Sequence, residues 1–281
     1  AADASFDDDS SGGKGTLHVW RVEGFEKVGV EREDVGLFYS GDSYVLKYSY
    51  PGQGGRTRHV VYFWQGRHSS QDEVGASAIL AQRVDDELGG GATQVRVAQG
   101  QEPAHFVRLF DGKMVVRRGG KASGFRSAAE ADASGAGGVA LFHVKGATAA
   151  STRAAQVEPR AASLNSGDCF VLLTPTQCLV WRGELASAAE RKCADAVAAR
   201  LKAKRGVGAV QEGGEPAAFW QALGGRAAYP REKAAAEGGR EPQLFRCSNA
   251  NGYFTSERVP VAQAELEDDD VFLLDTYAAL F

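Results

Sequence analysis

The sequence predicts an α+β protein built of tandem repeats, and three observations predict it. A polar-acidic turn leading into an alternating run occurs as Ser40-Gly41-Asp42-Ser43-Tyr44-Val45-Leu46, as Ser166-Gly167-Asp168-Cys169-Phe170-Val171-Leu172 and as Asp268-Asp269-Asp270-Val271-Phe272-Leu273-Leu274. Each acid follows a strand start at nearly constant distance: Leu17 lies 25 positions before Asp42, Leu141 27 before Asp168 and Leu244 26 before Asp270. In the first two units a strand-like run closes on Trp64-Gln65-Gly66 or Trp181-Arg182-Gly183, and a glutamate, Glu73 or Glu190, stands nine positions after the Trp at the head of a helical pattern.

Taken in order, residues 1–15 are acidic and Gly/Ser-rich and read as a linker. Leu17 to Val22 alternates as a strand, Lys27 to Val30 does so briefly, and Tyr44 to Tyr50 and His59 to Trp64 pair around a Pro-Gly-rich turn. Ser69-Ser70-Gln71-Asp72-Glu73 carries helix-start residues, and Val74, Ala78, Leu80 or Ala81, Val84 and Leu88 recur at helical spacing before Gly89-Gly90-Gly91. Thr93 to Val97 reads as a strand, Pro103 to Phe110 as a short helix opened by proline, and Met114 to Val116 as the last strand. The first repeat is assigned to 16–126 and a linker to 127–139. The second repeat, 140–225, follows the same plan with a shorter hairpin and a long helix from about Ser187 to Lys204. A linker at 226–242 leads to a third repeat at 243–281, which is expected to stop before its Trp and Glu. Both full repeats also carry a Gly/Glu-Pro-Ala segment, Gly100 to Phe106 and Gly214 to Phe219.

The chain has 281 residues, 24% of them charged, with net charge −4. Nothing here marks a nucleic-acid binder or a membrane-surface protein, and no run reaches the 18 or so apolar residues of a spanning helix. A soluble intracellular protein is expected. The four cysteines, Cys169, Cys178, Cys193 and Cys247, form no Cys-Xaa-Xaa-Cys motif, so buried reduced thiols are expected, with a Cys169–Cys178 bridge across the hairpin as the alternative.

Chemistry points to a cation rather than to catalysis. Asp42 begins a strand and Glu73 begins the helix that packs on that sheet, so the two carboxylates can meet. Calcium takes about six to eight oxygens, mixing carboxylates with main-chain carbonyls. The carbonyl of Gly41, Asp42, Glu73 and a carbonyl from the Gly119-Gly120-Lys121 loop make such a set. The bland reading is that Asp42 and Asp168 cap turns while Glu73 and Glu190 complement helix N-termini; recurrence of the whole arrangement tips the balance toward the ion. Asp85-Asp86-Glu87 reads as a solvated face, and the histidines of the strands, His18, His59 and His143, as structural. No nucleophile motif or phosphate loop is found, so an enzyme is not expected.

These features resemble the gelsolin/villin family, in its C-terminal half, domains four, five and the start of six. The stretches that carry the likeness are Asp34 to Asp42, Ser70 to Glu73, Gly100 to His105, Ser163 to Asp168, Phe219 to Gly225 and Leu273 to Thr276. Leu273-Leu274-Asp275-Thr276, with Met114-Val115-Val116 and Gly119-Gly120, is similar to plant-type villins. The resemblance implies tandem gelsolin-homology domains, each a central mixed β-sheet between one long and one short helix, and a calcium-regulated partner of monomeric and filamentous actin in the cytoplasm and cytoskeleton.

The resemblance also assigns residues. Calcium within each domain falls on Gly41 (carbonyl), Asp42, Glu73 and Lys121 (carbonyl); on Gly167 (carbonyl), Asp168 and Glu190; and on Asp269 (carbonyl) and Asp270. A calcium shared with actin falls on Asp85. Ile79 and Phe125 are the apolar actin contacts, and Arg117, Arg118, Lys121 and Arg126 the phosphoinositide cluster. The alternative from another class is a scaffolding module of the same fold that binds proteins or phosphoinositides without actin.

Overall fold

The computed structural model describes residues 4–8, 13–52, 56–120, 138–231, 243–248, 255–263, 266 and 271–275. They fall into two compact units, Ala1–Lys233 and Ala234–Phe281.

The first unit opens with β1 (Ala4–Asp8) and β2 (Gly13–Glu23), paired antiparallel from Ala4 opposite Leu17 to Asp8 opposite Gly13, where composition alone suggests a tail. β3 (Glu26–Gly29) folds back on β2, β4 (Leu37–Tyr39) leads through a turn into β5 (Ser43–Pro51), and β6 (Thr57–Gln65) returns. Helix α1 (Gln71–Glu87), strand β7 (Thr93–Ala98), helix α2 (Ala104–Arg108) and strand β8 (Val115–Arg117) follow. The sheet runs β1-β2-β5-β6-β7, with β3 on β2, and is mixed because only β6 and β7 are parallel.

Alternation along the strands divides the side chains between two cores. Leu17, Val19, Tyr44, Leu46, Tyr62 and Trp64 meet Phe106 and Phe110 on the α2 side. Val22, Val45 and Val61 meet Ala76, Leu80, Ala81 and Val84 of α1 on the other. Each fully buried large side chain contributes roughly 1.5–3 kcal/mol, so the sheet is fixed from both faces.

The helix stripe differs from the expected one in phase. Ala76 and Ser77 turn inward with Leu80, Ala81 and Val84, whereas Ala78 is exposed. The reason is a contact with the sheet: Gln65 Nε2 donates to the Val74 carbonyl at 3.2 Å and to Ser77 Oγ at 3.1 Å, pinning that side of the first turn to β6.

The second repeat follows the same plan: β9 (Ala140–Lys145), β10 (Arg153–Val157), β11 (Cys169–Leu173), β12 (Gln177–Arg182), α3 (Ala188–Leu201), β13 (Gly206–Gln211) and α4 (Ala217–Ala222). Helix α3 packs on Phe142, Val144, Val171 and Val180, and α4 on Leu141, Phe170, Leu172 and Trp181. It ends at Leu201 rather than Lys204 because Ala203 takes a positive φ of 49°. Cys169 lies opposite Arg182 and Cys178 opposite Leu173, so the hairpin register holds the two thiols apart and both are free.

The sheet of this repeat continues into the first one, in the order β13-β12-β11-β9-β10-β8-β4. β8 pairs in parallel with β10 on one side and with β4 on the other. Arg200, at the end of α3, adds a clamp: Nη1 donates to the Val35 carbonyl and Nη2 to the Glu33 carbonyl, each at 2.8 Å.

The second unit contains β14 (Gln243–Ser248), β15 (Thr255–Val259) and β16 (Val271–Asp275), an antiparallel sheet ordered β15-β14-β16.

Candidate metal centres

In the first repeat, the turn between β4 and β5 is held by main-chain bonds from two directions. Ser40 N–H donates to the Arg117 carbonyl at 2.8 Å and Gly41 N–H to the Gly119 carbonyl at 2.7 Å, while Gly66 N–H donates to the Asp42 carbonyl at 3.1 Å and His68 N–H to the Ser40 carbonyl at 2.7 Å. The approach is close enough to require glycine at position 66, since a Cβ there would stand 2.7 Å from the Asp42 carbonyl oxygen. Asp42 is fully buried beneath this turn, and the Tyr44 hydroxyl points at its Oδ2 from 3.5 Å. Burial pushes the Tyr44 phenol well above its usual pKa, and the Asp42 charge adds to the shift.

Glu73 enters from α1. Ser70 caps the helix, with Glu73 N–H donating to Ser70 Oγ at 3.2 Å and Ser70 N–H to Glu73 Oε2 at 3.1 Å, a reciprocal capping box. Ser43 and Ser69 share a hydroxyl hydrogen bond of 2.9 Å, tying the residue after Asp42 to the residue before the cap.

The second repeat reproduces this frame. Gly183 N–H donates to the Asp168 carbonyl at 3.1 Å, Leu185 N–H to the Ser166 carbonyl at 2.9 Å, and Ser187 with Glu190 forms the same capping box. Here both acids are buried, Asp168 at 1% exposure and Glu190 at 0%, and Glu190 lies near enough to act on the Asp168 carboxyl. Glu190 Oε1 also accepts Gly146 N–H at 3.2 Å. Asp168 Oδ2 accepts His143 Nε2–H at 2.6 Å and Asn165 Nδ2–H at 3.0 Å. Burial works against the Asp168 charge, but the bonds from His143 and Asn165 outweigh it and hold the carboxyl below its ordinary pKa.

The donor set fits a hard cation. Two buried carboxylates side by side repel one another and are relieved by a shared cation. At Gly41 the backbone of the 119–120 loop comes so near that a Cβ would lie 3.0 Å from the Gly119 carbonyl oxygen, so main-chain oxygens, which calcium accepts as ligands, stand beside the turn that carries Asp42. Among the described residues no three His, Cys, Asp or Glu side chains converge at metal-binding spacing, so main-chain oxygens are needed to complete either shell.

The remaining residues named from sequence are placed as follows. Asp85 is buried rather than solvated and closes the loop after α1, its Oδ1 accepting Ala92 N–H at 2.8 Å and its Oδ2 accepting Gln94 Nε2–H at 2.9 Å. Ile79 lies off the packed stripe of α1 and is 50% exposed. Arg117 stacks its guanidinium over Phe142 at 5.8 Å, and Arg118 pairs with Glu158. Lys121, Phe125, Arg126, Asp269 and Asp270 lie outside the described residues.

Two relationships were missed from sequence. The sequence alone reads His143 as structural; the signal that finds its contact is register, because His143 pairs with Phe170, two residues after Asp168. The recurrent Glu-Pro-Ala segment serves the recurrent Trp: Trp64 Nε1–H donates to Glu102 Oε1 at 3.2 Å and Trp181 Nε1–H to Glu215 Oε1 at 2.8 Å.

A family model described as Gelsolin repeat matches residues 24–107 and 150–220. Gelsolin of Gallus gallus is 42% identical over 287 residues, covering 100% of this chain and 35% of the relative. Gelsolin of Xenopus laevis is 41% identical over 288 residues, covering 100% of this chain and 66% of the relative. Cytoplasmic gelsolin of Homarus americanus is 44% identical over 249 residues, covering 88% and 33%. The chain therefore spans between a third and two thirds of the length of these curated relatives. Among solved structures, a chain from the Thorarchaeota 2DGel3/rabbit actin complex aligns with 74% of this chain and 98% of its own at 25% identity, with a TM-score of 0.29, too low for the likeness to bear on fold or function.

Proposed function

Because this chain belongs to the gelsolin-repeat family, we propose that it is a calcium-regulated actin-binding segment of villin/gelsolin type. The observation that carries the reading is the duplicated site: each repeat buries an Asp at a strand start and sets a helix-capping Glu on the element packed beside it. In this reading the Gly41 carbonyl, Asp42, Glu73 and the Lys121 carbonyl hold one calcium ion. The Gly167 carbonyl, Asp168 and Glu190 hold a second, and the Asp269 carbonyl and Asp270 belong to a third.

The actin surface is the outer face of α1, with Ile79 and, by the resemblance, Phe125. Asp85 joins a calcium shared with actin by giving up its bond from Gln94. The segment corresponds to domains four, five and the start of six, with repeats at 16–126, 140–225 and 243–281, and is most like a plant-type villin; it acts in the cytoplasm and cytoskeleton by binding rather than catalysis, capping, severing or bundling filaments. Phosphoinositide binding at Arg117, Arg118, Lys121 and Arg126 requires Arg117 to leave Phe142 and Arg118 to leave Glu158.

Gel filtration of the chain with monomeric actin, in calcium and in chelator, tests the reading. Co-elution only in calcium is expected, and it should be lost in Asp42→Asn/Glu73→Gln. Co-elution in both conditions demotes calcium to a structural ion, and co-elution in neither favours the scaffolding module without actin.

A further inference from the structure

The two acidic sites differ at one equivalent position. In the first repeat Arg21 pairs across the sheet with Tyr44, two residues after Asp42; in the second, His143 pairs with Phe170, two residues after Asp168. The two basic residues therefore start from the same station on the second neighbour of the acid. Their side chains do different things. Arg21 turns to Glu23 on its own strand. His143 lies flat on Phe170, with ring centroids 4.6 Å apart and planes 6° from parallel, and its Nε2–H reaches Asp168 Oδ2 at 2.6 Å. Asn165 Nδ2–H reaches the same oxygen at 3.0 Å.

We propose that His143 is a positioning residue that presets the Asp168 carboxylate for a divalent cation, and that the second repeat therefore binds its ion more tightly than it could with Asp168 and Glu190 alone. The inference rests on the calcium reading above. Its physical basis is that a carboxylate held by two donors on one oxygen cannot rotate about its terminal bond, so the orientation a cation needs is paid for when the protein folds. The stacked Phe170 keeps the imidazole from swinging away, and β9 and β11 are central strands of the sheet, so the donor has a rigid base. Partners of this kind, which hold a ligating side chain rather than the ion, typically change metal affinity by about 10- to 100-fold when removed.

Isothermal titration of the whole chain with calcium chloride, in metal-free buffer at neutral pH, tests this. Asp168→Asn identifies which binding step belongs to the second repeat. His143→Ala is then expected to weaken that step by about 10-fold or more and to leave the step of the first repeat unchanged. His143→Gln, which keeps an N–H donor of similar reach, is expected to restore most of the affinity. Thermal unfolding of each variant in chelator separates positioning from stability: a merely structural histidine lowers the melting temperature without a selective change in the second step. Unchanged affinity in a folded His143→Ala, or equal loss in His143→Ala and His143→Gln, overturns the inference while leaving the calcium reading intact. If Asp168→Asn removes no binding step, the second-repeat calcium site is wrong and the inference falls with it.

Discussion

Arg153 of the second repeat places its Nε 2.7 Å from Oε2 of Glu102 in the first, with side chains 16% and 0% exposed. Glu102 at the same time takes the indole N–H of Trp64 and the main-chain N–H of Gly100. Removing the cation leaves a buried carboxylate short of its counter-charge. Arg153→Met should therefore destabilise the first unit by about 3–5 kcal/mol in urea unfolding. Adding Glu102→Gln to it should cost less than the sum of the two single changes; strict additivity would mean that the two side chains do not act as a pair.

The second repeat offers a pH test at Glu215. Burial would raise its pKa, but the Trp181 indole, the Gly213 N–H and Arg226 more than offset this and hold it below the ordinary value. A folded-state pKa below the unfolded one gives stability that is fully present above about pH 4.3 and fades as pH falls through the lower folded value. Wild type should thus lose stability on acidification below the ordinary carboxylate range, and Glu215→Gln, less stable at neutral pH, should show a shallower decline there.

The capping boxes predict a matched pair of effects. Ser70→Ala and Ser187→Ala should each lower stability by about 1 kcal/mol, with glycine at either position costing only a few tenths. Comparable losses in both repeats would show that α1 and α3 depend equally on the cap.

Thiol reactivity follows from burial. The Cys169 and Cys193 thiols are pushed up to about 12, chiefly by burial, with the Glu190 charge contributing to both. Since the thiolate is the nucleophile, iodoacetamide at pH 8 should leave both unmodified in the native chain and label both in denaturant. Rapid native labelling of either would mean that the α3 face opens.

Much of this was legible in the sequence for a physical reason: period-two alternation and helix-start residues are local signals. They placed β5, β6, α1, β11, β12 and α3, and they drew attention to Asp42, Glu73, Asp168 and Glu190. The phase of α1 was misread at Ala78 because the anchoring bond comes from Gln65, on another strand. Asp85 looks like one of three solvated acids until the loop after α1 folds back to donate Ala92 N–H. His143 and Arg153 were harder still, since each gains its meaning from a partner at least 25 residues away, and only strand register or an inter-repeat contact reveals it.

The pairing of β8 with β10 separates two kinds of boundary. Along the chain the repeats meet between residues 117 and 140, but in space their border runs through the middle of a sheet, between strands joined by main-chain hydrogen bonds. A single cut in the covalent chain within 121–137 would leave the two halves zipped together. Preparing the first repeat alone, by contrast, would uncover the row of amides and carbonyls on β8 and create a new sticky edge.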